Sequence, residues 1–258
     1  MTFKFTILGC GSSFGVPRAD GNWGKCNPKE IKNYRTRCSA LVSFMNKKIL
    51  IDTSPDLRSQ LIRHKVTNID AVLYSHLHAD QTHGINDLRV FYMNNKKKIS
   101  VYADRITSNY LQSNFTYCFK KRYGYPPILD LKPIKKNIIF KSDKKIINIK
   151  SLPVKHGPIE SLSFIINNTC AYASDVSEIY PKDLHYFKNL KYFVIDCLRI
   201  KKHPSHFNLE QVLNLVKILN PKKTILTNLH SDLDYNYLLK NLPNNIVPGY
   251  DGLTINIK

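Results

Sequence analysis

The sequence predicts a layered α/β fold, in which helices pack outside β-sheets, and three observations support this class. The hydrophobic content of 43% is ordinary for a globular protein. Strand-like runs come in pairs early in the chain, and later they alternate with segments that have helical apolar spacing. No Gly/Ser-rich linker or repeat divides the 258 residues, so we predict one domain over residues 1–258.

The predicted strands are short apolar runs bounded by polar or turn residues. They lie at residues 3–8, 39–44, 48–51, 71–74, 99–102, 145–152, 163–166, 169–173, 192–196 and 223–227. The predicted helices have apolar residues spaced by three and four positions, and they lie at residues 56–64, 106–115, 209–219 and 235–242. Residues 20–37 are polar and predict a long surface loop.

The net charge of +20 allows a phosphate-containing substrate but does not establish one. A basic surface attracts small phosphodiesters and nucleic acids alike. However, the chain has 30 Lys and only 9 Arg, and Arg is the better bidentate phosphate ligand. The excess of lysine therefore indicates a compositional bias of the whole chain rather than a binding patch.

The sequence predicts a cytoplasmic protein. No run of about 18 apolar residues is present, so we expect no transmembrane helix and no membrane partner. The N-terminal segment is strand-like and too short for a signal peptide. A reducing compartment would keep the six cysteines as thiols. No Cys-x-x-Cys pair is present, and we expect Cys26 and Cys38 to be free thiols rather than zinc ligands.

A cluster of potential metal ligands follows the predicted strand at residues 71–74. Residues 75–80 read Ser-His-Leu-His-Ala-Asp, which places His76, His78 and Asp80 within five positions. Neutral imidazole nitrogens and a carboxylate oxygen suit Zn²⁺, Mn²⁺ or Fe²⁺. A polar loop after a buried strand does not require two histidines and an aspartate in this spacing. We therefore predict a metal site here.

Three further polar residues follow predicted strands in the second half of the chain. His156 precedes a Gly-Pro pair, Asp175 follows the strand at residues 169–173, and His230 follows the strand at residues 223–227. Ligand-binding residues collect beyond strand ends in layered α/β folds. Each residue taken alone is also what a surface loop would carry, so its placement does not identify it as a ligand.

The order His-x-His-x-Asp, followed by His, Asp and His, resembles the metallo-β-lactamase superfamily. Residues 9–17, Gly-Cys-Gly-Ser-Ser-Phe-Gly-Val-Pro, resemble the Gly-x-Gly-x-Ser-x-Gly-x-Pro run of its phosphodiesterase branch. Residues 51–58 and 82–89 are similar to the enzymes that open 5-phosphoribosyl 1,2-cyclic phosphate. The resemblance covers almost the whole chain. It implies a four-layer αββα sandwich and a metal-dependent phosphodiesterase that acts on a small cyclic phosphodiester.

The resemblance also implies a centre for up to two Zn²⁺ or Mn²⁺ ions, in which a metal-bound hydroxide attacks the phosphorus. The implied ligands are His76, His78 and His156 for the first ion, Asp80 and His230 for the second, and Asp175 as the bridge.

His206 and Asp80 are the catalytic residues that the resemblance implies. His206 lies just before the predicted helix at residues 209–219, and it resembles the superfamily's histidine that protonates the leaving oxygen. A helix N-terminus would add N–H donors and a favourable dipole for an anion. The alternative is a polar residue before a helix with no catalytic role.

Position 81 departs from the family pattern. The superfamily has His-x-His-x-Asp-His, whereas this chain has Gln81 in place of the last histidine. An amide oxygen is a weaker ligand than an imidazole and favours harder ions. We therefore expect Gln81 to be a weak ligand and the second site to be weaker than the first, or empty. Some relatives place their last histidine near position 228, where this chain has Asn228.

Three other functions are compatible with the sequence. A tRNA 3′-processing endonuclease of the superfamily often has a long arm between the third histidine and the bridging aspartate, but only eighteen residues separate His156 from Asp175. A non-catalytic binding protein on the same fold would accommodate Gln81. Thioester hydrolysis fits less well with the phosphodiesterase-like segment at residues 9–17. We expect a small phosphodiester as the partner, with nucleic acid less favoured and a homodimer left open.

Overall fold

The computed structural model describes residues 3–142 and 145–257, and within these ranges the chain forms two seven-stranded β-sheets. The strands, numbered along the chain, are β1 Lys4–Gly9, β2 Ser39–Phe44, β3 Lys47–Ile51, β4 Ala71–Leu73, β5 Ile99–Ala103, β6 Leu129–Pro133, β7 Asn137–Ser142, β8 Lys145–His156, β9 Ile159–Ile166, β10 Cys170–Ala173, β11 Tyr192–Asp196, β12 Lys223–Thr227, β13 Ile246–Pro248 and β14 Thr254–Asn256.

Helices in the same described ranges connect the strands. The α-helices are α1 Leu57–Arg63, α2 Ala79–Thr82, α3 Arg89–Asn95, α4 Arg105–Asn114, α5 Thr116–Phe119, α6 Leu209–Leu219 and α7 Tyr235–Asn241. Short 3-10 helices lie at Ile31–Asn33, Ile85–Leu88 and Pro181–Phe187. The first of these falls in the segment that the sequence predicts to be a loop.

The two sheets pack face to face, and helices cover the outer face of each. The central core joins apolar side chains of both sheets, such as Val42 from β2 and Phe164 from β9. The outer face of the first sheet packs on helices that contribute Leu57 and Leu111. The outer face of the second sheet packs on α6 and α7, and α6 contributes Val212. The predicted four-layer αββα sandwich is therefore confirmed.

The strand order brings the ends of several parallel strands to one edge of each sheet. The first sheet has the order β14-β1-β2-β3-β4-β5-β6 and is parallel from β3 to β6. The second has the order β13-β12-β11-β10-β9-β8-β7 and is parallel from β10 to β13. Segments that leave β10, β11 and β12 at their carboxyl ends therefore start side by side, where layered α/β folds place ligands.

Helix α6 illustrates how local sequence sets an element. Val212, Val216 and Leu219 recur at intervals of four and three residues, and all three are buried on the face that packs against the second sheet. Asn208 caps the N-terminus, because its side chain accepts a hydrogen bond from the backbone N–H of Gln211 at 3.0 Å. The Gln211 side chain accepts in return from the Asn208 backbone N–H at 3.0 Å, which completes a capping box.

The hairpin β8–β9 is longer than the sequence predicts. Strand β8 continues past the predicted end at Leu152 to His156, and β9 begins at Ile159. Pro153 disfavours a central strand because it lacks an N–H. Here β7 pairs with β8 only as far as Lys150, whereas β9 pairs with β8 as far as His156. Pro153 therefore lies in the part of β8 that is not paired with β7. The extension carries His156 to the edge of the sandwich.

The lengths of the helices and the environments of the cysteines bear on two of the predictions. Within the described ranges, no helix is both long enough and apolar enough to span a bilayer. All six cysteines are buried free thiols. The Cys26 thiol contacts the carbonyl of Ser231, and the Cys38 thiol contacts the carbonyl of Gly11. The two thiols therefore have separate hydrogen-bond partners.

We predict that Asn208→Ala destabilises the protein by about 1 kcal/mol, because the first turn of α6 loses the acceptor for the Gln211 N–H. Urea unfolding with a shared m-value measures this change. Asn94→Ala, at an exposed helical position of α3, is the matched control and should shift the midpoint much less. Equal midpoints for Asn208→Ala and wild type would contradict the role of the cap.

Candidate metal centre

The potential ligands lie where strands end. His76 and His78 follow β4 of the first sheet, and His156 ends β8 of the second. Asp175 follows β10. The imidazole nitrogens of His76, His78 and His156 all lie within 4.8 Å of one another. The sandwich therefore brings together residues that are 80 positions apart in sequence, from His76 to His156.

The three imidazoles converge through specific nitrogens. His76 Nε2 lies 2.9 Å from His78 Nδ1, and His156 Nε2 lies 3.3 Å from the same His78 Nδ1. His156 Nδ1 lies 2.7 Å from the carbonyl oxygen of Ser205, so this nitrogen carries the hydrogen and donates it. His156 Nε2 is therefore left with a free lone pair, which is the tautomer a metal ligand requires.

The cluster fits one divalent ion. Zn–N bonds of 2.0–2.1 Å in a tetrahedron place two ligand nitrogens about 3.3 Å apart, close to the separations observed here. Burial holds the pKa of His76 well below its usual range, and burial together with the neighbouring His206 lowers the pKa of His156 to about 4. Both rings are therefore neutral at pH 7. His78 is exposed, so the cluster opens to solvent on that side.

Carboxylates and carboxamides form a second group beside the imidazoles. Asp80 and Gln81 lie on the short helix α2, and Gln81 Nε2 donates to Asp80 Oδ2 and to Asp175 Oδ2, at 3.2 Å in each case. Asn228, which follows β12, has its Nδ2 3.5 Å from Asp175 Oδ1 and 3.1 Å from Asp196 Oδ1. Burial and the nearby Asp80 raise the pKa of Asp175 to about 7.

His206 forms an ion pair at the edge of this group. Its Nδ1 donates to Asp196 Oδ2 at 2.7 Å, and Asp196 is completely buried at the end of β11. Burial by itself lowers the pKa of His206, but the carboxylates of Asp196, Asp175 and Asp80 outweigh it and raise the pKa to about 9. The ring centroid of His206 lies 4.7 Å from that of His156. A protonated imidazole therefore stands beside the three-histidine cluster.

A cavity of about 380 Å³ opens beside His76. Its lining includes the apolar side chains of Leu77 and Ile159, and its charged residues are Lys155, Asp104 and Glu160. The space is at the low end of the range for small-molecule sites, about 300–1,000 Å³. It can therefore accommodate a small ligand next to the imidazole cluster.

The structure brings together most of the predicted site residues, but it places His230 elsewhere. His230 is about a quarter exposed, and its Nδ1 accepts a hydrogen bond from the backbone N–H of Asp232 at 3.2 Å. Asn228, two residues earlier, lies beside Asp175 instead. Asn228 has a positive φ of 59°, and this turn after β12 directs its side chain into the site. His230 as a second-site ligand is therefore not supported by the contacts.

Two residues of the site were missed by sequence reasoning. Asp196 holds His206 and contacts Asn228, and it ends the predicted strand at residues 192–196. The same argument that selected Asp175 after its strand applies to Asp196. Asp52 accepts a hydrogen bond from the backbone N–H of Ser75, at 2.7 Å, and so supports the segment that carries His76. Asp52 lies in the family-like segment at residues 51–58, but the sequence does not show that it contacts Ser75.

A family model and a curated relative match this chain. The family model, described as a beta-lactamase superfamily domain, matches residues 47–228. The chain is 31% identical over 251 residues to an octanoyltransferase of Porphyromonas gingivalis (strain ATCC BAA-308 / W83), a match that covers 96% of this chain and 50% of that protein. The chain therefore spans about half the length of this curated relative.

Solved structures match over nearly the whole chain. A new diphosphatase from the PhnP family aligns over 99% of this chain and 97% of its own, with a TM-score of 0.90 and 28% identity. The short form of human tRNase Z aligns over 99% of both chains with a TM-score of 0.71, but its identity of 13% shows a shared fold alone. The predicted hydrolase class agrees with these comparisons. The family model covers all the imidazoles of the cluster and most of the chain, so the protein belongs to the metallo-β-lactamase superfamily.

Proposed function

We propose that the protein is a metal-dependent phosphodiesterase that hydrolyses a small cyclic phosphodiester such as 5-phosphoribosyl 1,2-cyclic phosphate. One observation carries the proposal: a cluster of three imidazoles, spaced to hold a divalent ion, lies beside His206, which is held by the buried Asp196. Phosphoryl transfer depends on positioning and on stabilisation of charge, and this arrangement provides both a cation site and a proton donor.

His76, His78 and His156 would hold the ion, with Asp175 next to them. Zn²⁺ and Mn²⁺ both suit this donor set. Such an ion, when bound, supplies Lewis acidity toward phosphoryl oxygens and lowers the pKa of water. The protein contributes fixed orientation, because the Ser205 carbonyl holds the His156 ring in its ligating tautomer.

His206 is suited to protonate the leaving oxygen. Its Nδ1 is engaged by Asp196, so the proton available for transfer is on Nε2. The carboxylate keeps the ring oriented and its pKa raised to about 9, so the ring is charged at neutral pH. Transfer of the Nε2 proton leaves a neutral ring that is still hydrogen-bonded to Asp196.

Two features favour a small substrate over a folded RNA. The cavity beside His76 is about 380 Å³. Between His156 and Asp175 the chain forms only the rest of the hairpin with β9 and then β10, with no arm that could clamp a tRNA among these described residues.

The name of one relative suggests a further substrate to test. The similar solved structure is named a diphosphatase, so a diphosphate linkage is the second candidate, and the same ion site and proton donor would serve it. The octanoyltransferase name belongs to a protein of which this chain matches half, so the name does not assign an acyl-transfer activity to this half.

A substrate panel tests the proposal. The protein, loaded with Zn²⁺ or Mn²⁺, is assayed with bis-p-nitrophenyl phosphate, cyclic ribose phosphate, a diphosphate ester, pre-tRNA and a thioester. We expect turnover of the cyclic phosphodiester to exceed that of pre-tRNA and the thioester. Failure of the metal-loaded protein to hydrolyse any phosphate ester would contradict the proposal and favour a non-catalytic binding protein.

We predict that His76→Ala and Asp175→Ala each abolish phosphodiesterase activity, because the first removes an imidazole of the cluster and the second removes the carboxylate beside it. Activity and bound metal are measured together. His185→Ala is the control, since His185 is exposed and its ring contacts that of Tyr186. Wild-type activity in His76→Ala would exclude the three-histidine cluster as the site of chemistry.

We predict that His206→Ala lowers kcat by about 10²–10⁴ and leaves the metal content intact, which is the signature of a lost proton donor. His203→Ala is the matched control, because His203 lies near His206 but has no carboxylate partner among its described hydrogen bonds. Loss of metal in His206→Ala would instead make His206 a ligand. An unchanged kcat would leave it a structural role only.

A further inference from the structure

We propose that this centre holds a single metal ion. In related two-ion centres a second ion lies beside the bridging carboxylate. In this protein the carboxamides of Gln81 and Asn228 form hydrogen bonds to that carboxylate instead. The proposal concerns the same site as the proposed function but does not depend on the substrate. It follows from the hydrogen bonds of Asp175, which the family resemblance assigns as the bridge between two ions.

Gln81 is arranged as a donor rather than as a ligand. Its side chain is completely buried, and its Nε2 lies 3.2 Å from an oxygen of Asp80 and 3.2 Å from an oxygen of Asp175. Carboxylate oxygens are acceptors, so the amide N–H groups must face them. Its Oε1 is buried and has no hydrogen-bond partner among the described residues. Turning Oε1 toward an ion between the two carboxylates would break both contacts.

Gln81 is also fixed through its backbone. The Gln81 carbonyl accepts a hydrogen bond from the Thr53 backbone N–H at 2.7 Å. The neighbouring Thr82 hydroxyl donates to the carbonyl of His78 at 2.9 Å. These hydrogen bonds fix the backbone of α2, and the fixed backbone positions the Gln81 amide beside the two carboxylates.

Asn228 engages the other side of the bridge. Its Nδ2 lies 3.5 Å from Asp175 Oδ1, while Gln81 contacts Asp175 Oδ2. The same Nδ2 lies 3.1 Å from Asp196 Oδ1, and Asn228 is almost fully buried. Each oxygen of Asp175 therefore faces an amide donor. Two N–H dipoles partly offset the negative charge that a second cation would otherwise neutralise.

The remaining donors do not make a second site. A borderline ion requires about four ligands, and imidazole is the usual neutral one. Near Asp80 both positions that could carry that imidazole are occupied by amides, and His230 is directed toward Asp232. Asp80 is left beside the already engaged Asp175. His206 also has a ring nitrogen within 4.8 Å of ligand atoms of Asp175 and His156, but its Nδ1 donates to Asp196. The residues present therefore do not fit a second ion.

Metal stoichiometry tests this inference without any substrate. Wild-type protein is equilibrated with excess Zn²⁺, and separately with excess Mn²⁺. Bound metal is then counted by elemental analysis after desalting and by titration calorimetry. We expect one ion per chain in the wild type and two in Gln81→His/Asn228→His, because two imidazoles replace two donors. Asn94→His/Gln112→His, at exposed helical positions, adds the same imidazoles away from the site and should hold one ion.

Two results would overturn the inference. Two ions of similar affinity in the wild type would show that Gln81 and Asn228 do not exclude a second ion. One ion in a folded Gln81→His/Asn228→His variant would show that the amides are not the reason for the single site. Circular dichroism shows whether the variant is folded. If it is not folded, the number of ions bound to the wild type still tests the inference. Phosphodiesterase activity is measured in a separate assay from this metal count, so a failure of the proposed function is distinguished from a failure of this inference.

Discussion

The centre depends on one constraint, the alignment of strand ends at a common edge of the two sheets. Because β10, β11 and β12 are parallel neighbours, the residues that leave them start side by side. Asp175, Asp196 and Asn228 come from these three strands, and Asn228 Nδ2 lies within hydrogen-bond reach of both carboxylates. The first sheet contributes the segment after β4, with His76 and His78. Neither sheet alone contains a complete set of ligands.

Burial of negative charge is the second determinant of the site. Removing a carboxylate from water is unfavourable unless donors or cations compensate. Asp196 is fully buried and receives hydrogen bonds from the backbone N–H of Val176 and from His206, both on Oδ2. Asp175 is nearly as buried and receives amide donors on both oxygens. The hydrogen bonds that compensate the burial of these carboxylates also orient His206, the proton donor. They also engage oxygens that could otherwise bind a cation.

The backbone fixes the ligands before any ion binds. The carbonyl of Ser205 sets the tautomer of His156, and it belongs to the segment that leads into His206 and the cap of α6. Asp52 has a positive φ of 61° and holds the Ser75 N–H, directly before His76. A single set of loops therefore positions both the ligands and the proton donor. Such preorganisation reduces the reorganisation that binding and catalysis require.

The sequence alone determined the elements and motifs whose signals are local. The apolar runs of β11 and β12, the spacing and cap of α6, and the ligand spacing of His76, His78 and Asp80 depend only on neighbouring residues, and the resemblance added the four-layer fold. The edge strand β6 was missed because it carries charged residues and a proline, and its pairing with β5 decides its conformation. Only the tertiary structure decided that Asn228, and not His230, contacts Asp175. The direction of a side chain just after a strand depends on the local turn and on contacts between the two sheets, and neither is encoded in a short stretch of sequence.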